Sequence, residues 1–91
     1  MNSIDRGMVV TTEHLLAPDG HWVRAFAGHV QVLDAAATLG ITPGDRDSTW
    51  YARVERREPP ENGPVVYIPG CKVSAIIDLA SERYPQGDVW R

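Results

Sequence analysis

The alternation of apolar and polar positions organises the chain around one stretch, His21 to Leu33, where aromatic and β-branched residues run on for longer than an average strand. It reads as a long, bent central strand. Before it stands Ala17-Pro18-Asp19-Gly20, in which proline presets φ at the first turn position, aspartate suits the second, and glycine accepts the positive φ of a bulged three-residue hairpin loop. With Ala17 opposite His21, Leu16 pairs with Trp22, His14 with Arg24, Thr12 with Phe26 and Met8 with Val30. Strict alternation then places the even-numbered residues on one face. That face carries the bulk and is the expected core face, with His14 and Arg24 as its polar members. Val9, Thr11, Glu13, Leu15, Val23, Ala25, Ala27 and His29 share the other. Gly28 is the expected site of a bulge that bends the strand.

The remaining pattern supplies smaller elements. Residues 1–7 read as a flexible polar tail and Met8 to Leu16 as the first strand. Asp34 to Gly40 begins with a capping residue and ends with glycine, as one short helix does. Thr49 to Arg56 alternates Trp50, Ala52 and Val54 on an inner face with Tyr51, Arg53 and Glu55 on an outer one. Val65 to Ile68 is a short buried strand. Cys71 to Ile77 is a fifth, with Cys71, Val73, Ala75 and Ile77 on one face. Residues 79–91 form a C-terminal tail with a helical turn at Leu79 to Tyr84, stopped by Pro85 and Gly87, and Val89-Trp90-Arg91 is either a latch on a strand edge or a free end. The expected core is Trp22, Phe26, Val30, Trp50, Val54, Val66, Ile68 and Val73.

Together these give one mainly β domain over residues 8–78. Five short strands joined in sequence are expected to form a small barrel, since closure removes exposed edges, or a bent antiparallel meander with one short helix; an α+β meander is the alternative. From Met8 to Ile77 the layout resembles an SH3-like barrel in architecture.

Composition narrows the function. Ninety-one residues support one modest core, and a net charge of −3 with a pI near 5.5 argues against a general nucleic-acid coat protein. The single cysteine, Cys71, fits a reducing compartment, and no signal-like or bilayer-length apolar run occurs, so the expected location is cytoplasmic.

Candidate chemistry is sparse. His14, His21, His29 and Cys71 are zinc-ligand types, yet none forms a close ligand pair, so no metal or other cofactor is expected. Cys71 is expected to be a buried structural thiol, Ser48 and Ser74 lie in no nucleophile elbow, and Asp45/Asp47 and Glu55/Glu58 read as solubilising carboxylates. No phosphate-cradling glycine loop is present. The expectation is a protein that is not an enzyme.

The remaining signal is aromatic and basic. Tyr51 and Arg53, with Arg46, Arg56 and Arg57 at the ends of the same strand, form the first candidate partner-binding surface. Trp22, Arg24 and His14 form the second. The expected function is a non-enzymatic binding module with a protein partner. The alternatives are a nucleic-acid or nucleotide-binding barrel that uses aromatic stacking with arginine–phosphate contacts, and a structural homo-oligomer subunit. Small size without a catalytic or targeting motif resembles the accessory proteins of bacterial viruses and other mobile elements, including those that block host defences.

Overall fold

The turn chemistry acts as written. Ala17 N–H donates to the His21 carbonyl at 2.8 Å, Gly20 N–H donates to the Ala17 carbonyl at 3.0 Å, and Gly20 has φ +90°. The computed structural model describes residues 2–34, 50–56, 64–80, 83, 85 and 87–91. Its strands are β1 (Asn2–Leu16), β2 (Trp22–Asp34), β3 (Trp50–Glu55), β4 (Val65–Pro69), β5 (Val73–Asp78) and β6 (Val89–Trp90). They form one sheet in the order β4-β3-β2-β1-β5, antiparallel throughout, with β6 added in parallel to β2.

The sheet is open. β4 and β5 are its two ends, so the barrel expectation gives way to a bent meander. Each edge carries a feature that discourages further strand addition: Pro69 in β4, which has no amide proton to offer, and the extra residue Ser74 that bulges β5 between Val73 and Ala75.

Several boundaries differ from the sequence reading. The tail expected over residues 1–7 is strand from Asn2, because Asn2, Ser3 and Ile4 pair with Val32, Gln31 and Val30. Tertiary pairing overrides a weak local pattern there. Gly70–Lys72 is a turn of 3-10 helix, so the fifth strand begins at Val73 and Cys71 is exposed rather than buried. At the start of the expected helical turn after β5, Ala80 has φ +53° and its N–H is capped by the Asp78 carboxylate at 2.9 Å; residues 81, 82 and 84 of that turn lie outside the described residues. The short helix expected after Asp34 lies outside the described residues. The latch reading of Val89-Trp90 holds, as β6.

Two bulges reset the faces of the hairpin. The expected register survives only at its mouth, where Leu16 faces Trp22 and Leu15 faces Val23. Beyond this point β1 spends four residues, Thr11 to His14, against the single Arg24, and pairing resumes with Val10 opposite Ala25 and Val9 opposite Phe26. Farther along, Asp5 and Arg6 together oppose His29, next to Gly28 rather than at it. Gly28 has its own role: its φ is +155°, and a Cβ there would lie 2.2 Å from the Glu55 carbonyl oxygen.

The inner face therefore gathers Val9, Val23, Phe26, Val30, Ala52, Val54, Ile68 and Trp90, with Ile4, Leu15, Trp50, Val66, Val73 and Ile76 packed around them. The outer face holds a smaller cluster of Met8, Ala25, Ala27 and Leu79. Of the expected core, Phe26, Val30, Val54 and Ile68 are fully buried, and Trp50, Val66 and Val73 are half-buried against the same cluster. Burying each large apolar side chain contributes about 1.5–3 kcal/mol. Trp22 is the exception and is 63% exposed. Met8 likewise leaves the expected core face, pairing with Ala27 rather than Val30.

Candidate interaction surface

The reversal of Trp22 begins with its neighbours. Val23 and Leu15 face each other on the inner side, so alternation turns Trp22 and Leu16, the adjacent cross-strand pair, outward. At 63% and 58% exposed, they are large apolar side chains side by side at the end of the hairpin. Arg24, two residues on, is exposed on the same side.

The four-residue bulge beside them is polar, and partners inside and outside it hold Thr11, Glu13 and His14. Thr11 is fully buried, and its hydroxyl has the Glu13 carbonyl at 2.6 Å and the Arg24 carbonyl at 3.2 Å as acceptors. Glu13 forms an ion pair with Lys72, which holds the carboxyl below and the ammonium above their ordinary values, chiefly through the hydrogen bond between them. His14 Nε2 lies 3.2 Å from Asp88 Oδ2, and His21 Nδ1 lies 3.3 Å from Asp19 Oδ2. Asp19 also accepts the His21 backbone N–H at 3.0 Å, the main reason its carboxyl sits below the usual aspartate value. Arg24 differs from these bases. Its guanidinium reaches only the Thr11 carbonyl, at 3.5 Å, and no carboxylate among the described residues neutralises it.

The first candidate surface is differently arranged. Tyr51 and Arg53 do lie on the outer face of β3, opposite to Trp50, Ala52 and Val54, as alternation requires. Yet Tyr51 is only 5% exposed, and its ring centroid is 5.5 Å from that of Tyr67 on β4. Arg53 donates to Glu55 Oε2 at 3.0 Å and to Gln31 Oε1 at 3.3 Å. Bonds first to Glu55 and then to the Tyr67 side chain hold its guanidinium pKa above the ordinary value. Arg56 is half-buried, and its Nε is buried without a hydrogen-bond partner among the described residues. Arg46 and Arg57 lie outside the described residues, so this surface is represented by Tyr51, Arg53 and Arg56 alone. A buried ring and a guanidinium held by Glu55 and Gln31 form a structural cluster, and among its described residues Tyr67, 58% exposed, is presented.

No family model, curated protein or solved structure matches this chain. The geometry carries the functional reading by itself.

That geometry does not assemble the ligand types noted in the sequence. His14 and His21 sit at the hairpin end with separate aspartates, whereas His29 lies opposite the other β1 bulge, its Nδ1 3.7 Å from Asp5 Oδ1. Cys71 is on the 3-10 turn. Among the described residues no three His, Cys, Asp or Glu side chains converge on a metal position.

Sequence reasoning missed Leu16 and Asp88 as members of the surface. Leu16 had a signal, since the turn register already set it beside Trp22. Asp88 had none, because its place beside His14 depends on a contact across most of the chain.

Proposed function

We propose that the chain is a non-enzymatic binding module that docks a protein partner through the outer end of its first hairpin. The observation that carries this reading is the exposed cross-strand pair Leu16 and Trp22 at 58% and 63% exposure, in a sheet whose other tryptophans are half-buried or buried. Tryptophan and arginine dominate interface anchors because they combine a large apolar contact area with a directed polar end. Arg24, exposed two residues from Trp22 and with no carboxylate partner among the described residues, adds a cation to this end, so the fitting partner surface is an apolar hollow with an acidic rim. A role as a small cytoplasmic accessory protein acting on a host macromolecule, of the kind carried by mobile elements, accords with this surface. The edge features at Pro69 and Ser74 speak against assembly of a structural oligomer by strand addition.

The test is site-specific photocrosslinking from position 22 and, as the control, from position 67, followed by mass spectrometry and calorimetry with the protein recovered. Crosslinks from 22 and not from 67 support the reading. A salt titration then separates it from the second reading, in which Trp22 stacks on a base and Arg24 meets phosphate. A phosphate-dominated complex weakens steeply with salt, and a packed protein interface does so only modestly. Steep salt dependence together with recovered nucleic acid would overturn the protein-partner reading.

A further inference from the structure

The Thr11–His14 bulge of β1 and the Arg24–Ala25 step of β2 converge on one residue outside the hairpin. Asp88, immediately before β6, receives on its carbonyl oxygen the backbone N–H of both Arg24 and Ala25, each at 3.2 Å. Two successive amides on one acceptor produce a β-bulge, in which the pair of residues faces one way. This accounts for the observed facing: Val23 and Phe26 both point inward, three residues apart, while Arg24 and Ala25 between them are directed to the other side. Without the bulge, alternation from an inward Phe26 would turn Arg24 and Trp22 inward and Val23 outward. The side chain of the same Asp88 holds His14 of the β1 bulge at 3.2 Å.

We propose that the C-terminal segment Asp88–Trp90 is a strap that fixes the outward presentation of Trp22, with Asp88 as the positioning residue. The strap is held by Trp90, which is 3% exposed and packs on Phe26 with ring centroids 6.1 Å apart, and by two residues of parallel pairing, Val89 with Ala25 and Trp90 with Phe26. So short a strand opens more readily than the five-strand sheet to which it is attached. When it opens, Arg24 and Ala25 lose their shared acceptor, and the register that withdraws Trp22 becomes available. Strap closure thus sets whether the hairpin surface is displayed. Its consequence for binding rests on the docking role of Trp22 proposed above, but the coupling itself is independent of any partner.

The experiment uses the full chain labelled with 5-fluorotryptophan, whose three resonances are assigned by Trp→Phe variants. Broadening by a soluble gadolinium chelate reads the exposure of each indole. In Trp90→Ala the Trp22 resonance is expected to lose at least half of its broadening, and the Arg24 and Ala25 amides are expected to exchange at least about tenfold faster relative to the central β1 amide of Val9. Unchanged Trp22 broadening in a folded Trp90→Ala would overturn the proposal. Should that variant not fold, wild-type hydrogen exchange decides. Arg24 and Ala25 exchanging together through an opening smaller than global unfolding supports the strap, and exchange only through global unfolding refutes it. Because neither readout involves a partner, failure of the strap leaves the docking surface standing, and a Trp22→Ala variant that binds normally removes the docking surface without touching the strap.

Discussion

Two regions on the outer face of one sheet carry similar side chains and differ in what surrounds them. The β3–β4 region offers Tyr51, Tyr67 and Arg53; the hairpin end offers Trp22, Leu16 and Arg24. In the first, Tyr51 is covered beside Tyr67, and Arg53 is bound by Glu55, Gln31 and Tyr67, so the cluster spends its chemistry on itself. In the second, Trp22 and Leu16 face each other across the strand pair and stand largely exposed, and Arg24 has no carboxylate among the described residues. An aromatic residue with an arginine two positions away is thus no signature of an interface. The cross-strand neighbours decide it, by satisfying the pair or leaving it open.

The largest expected effect lies under neither region and sets the scale for both. Phe26→Ala empties the middle of the inner cluster and is expected to cost about 3–5 kcal/mol, read by chemical denaturation. Tyr51→Ala comes next: it removes a buried ring and should cost about 3 kcal/mol of stability without direct effect on the hairpin end. A Tyr51→Ala variant with wild-type melting would erase the contrast between the regions.

The two arginines sharpen the comparison at smaller magnitude. Arg53→Ala should lower stability by about 1 kcal/mol, because it leaves its hydrogen-bond partners on the half-buried outer face unmatched. Arg24→Ala should leave the melting temperature nearly unchanged, slow partner association and flatten its salt dependence, as removal of a rim charge does. Equal effects of the two substitutions on stability would contradict the assignment.

The smallest effect is a pH dependence confined to the hairpin end. Asp19 is stabilised as a carboxylate chiefly by the His21 backbone N–H, and Glu13 by its hydrogen bond to Lys72, and both have depressed pKa values. Their contribution is present above the unfolded carboxylate pKa values and is lost as pH falls through the folded ones. Acid titration of the melting temperature should therefore show a shallower decline in the double variant Asp19→Asn, Glu13→Gln than in the wild type. Identical acid profiles would remove these two groups from the account.

What could be read from the sequence follows the distance over which each feature is decided. The Pro18-Asp19-Gly20 turn and the Trp50/Ala52/Val54 inner face depend on neighbours within a few residues, and both are legible. The two bulges are not. The three-residue excess created where Thr11 to His14 face Arg24 alone, and the paired amides of Arg24 and Ala25, both meet Asp88 through contacts that span most of the chain. Since each extra residue reverses the facing of everything beyond it, an accurate turn still led to Trp22 inside and Val9 outside. The same long-range pairing makes strand of residues 2–7, which locally resemble a tail. The burial of Tyr51 is illegible for a different reason. Its outward facing is legible, but its burial depends on the Tyr67 ring brought alongside by β4.

The most direct test of the central claim is the affinity of one partner for two single variants, measured by calorimetry alongside thermal melts. Trp22→Ala removes an exposed aromatic residue and should change stability by no more than about 0.5 kcal/mol, as usual for surface positions, whereas Tyr67→Ala also uncovers Tyr51 and releases Arg53 and should lower stability by about 1 kcal/mol. Trp22→Ala is expected to weaken binding by about 2 kcal/mol or more, the loss seen at an interface anchor, with Tyr67→Ala close to wild type. Full affinity in a folded Trp22→Ala, or an equal loss in Tyr67→Ala, would contradict the assignment of binding to the hairpin end.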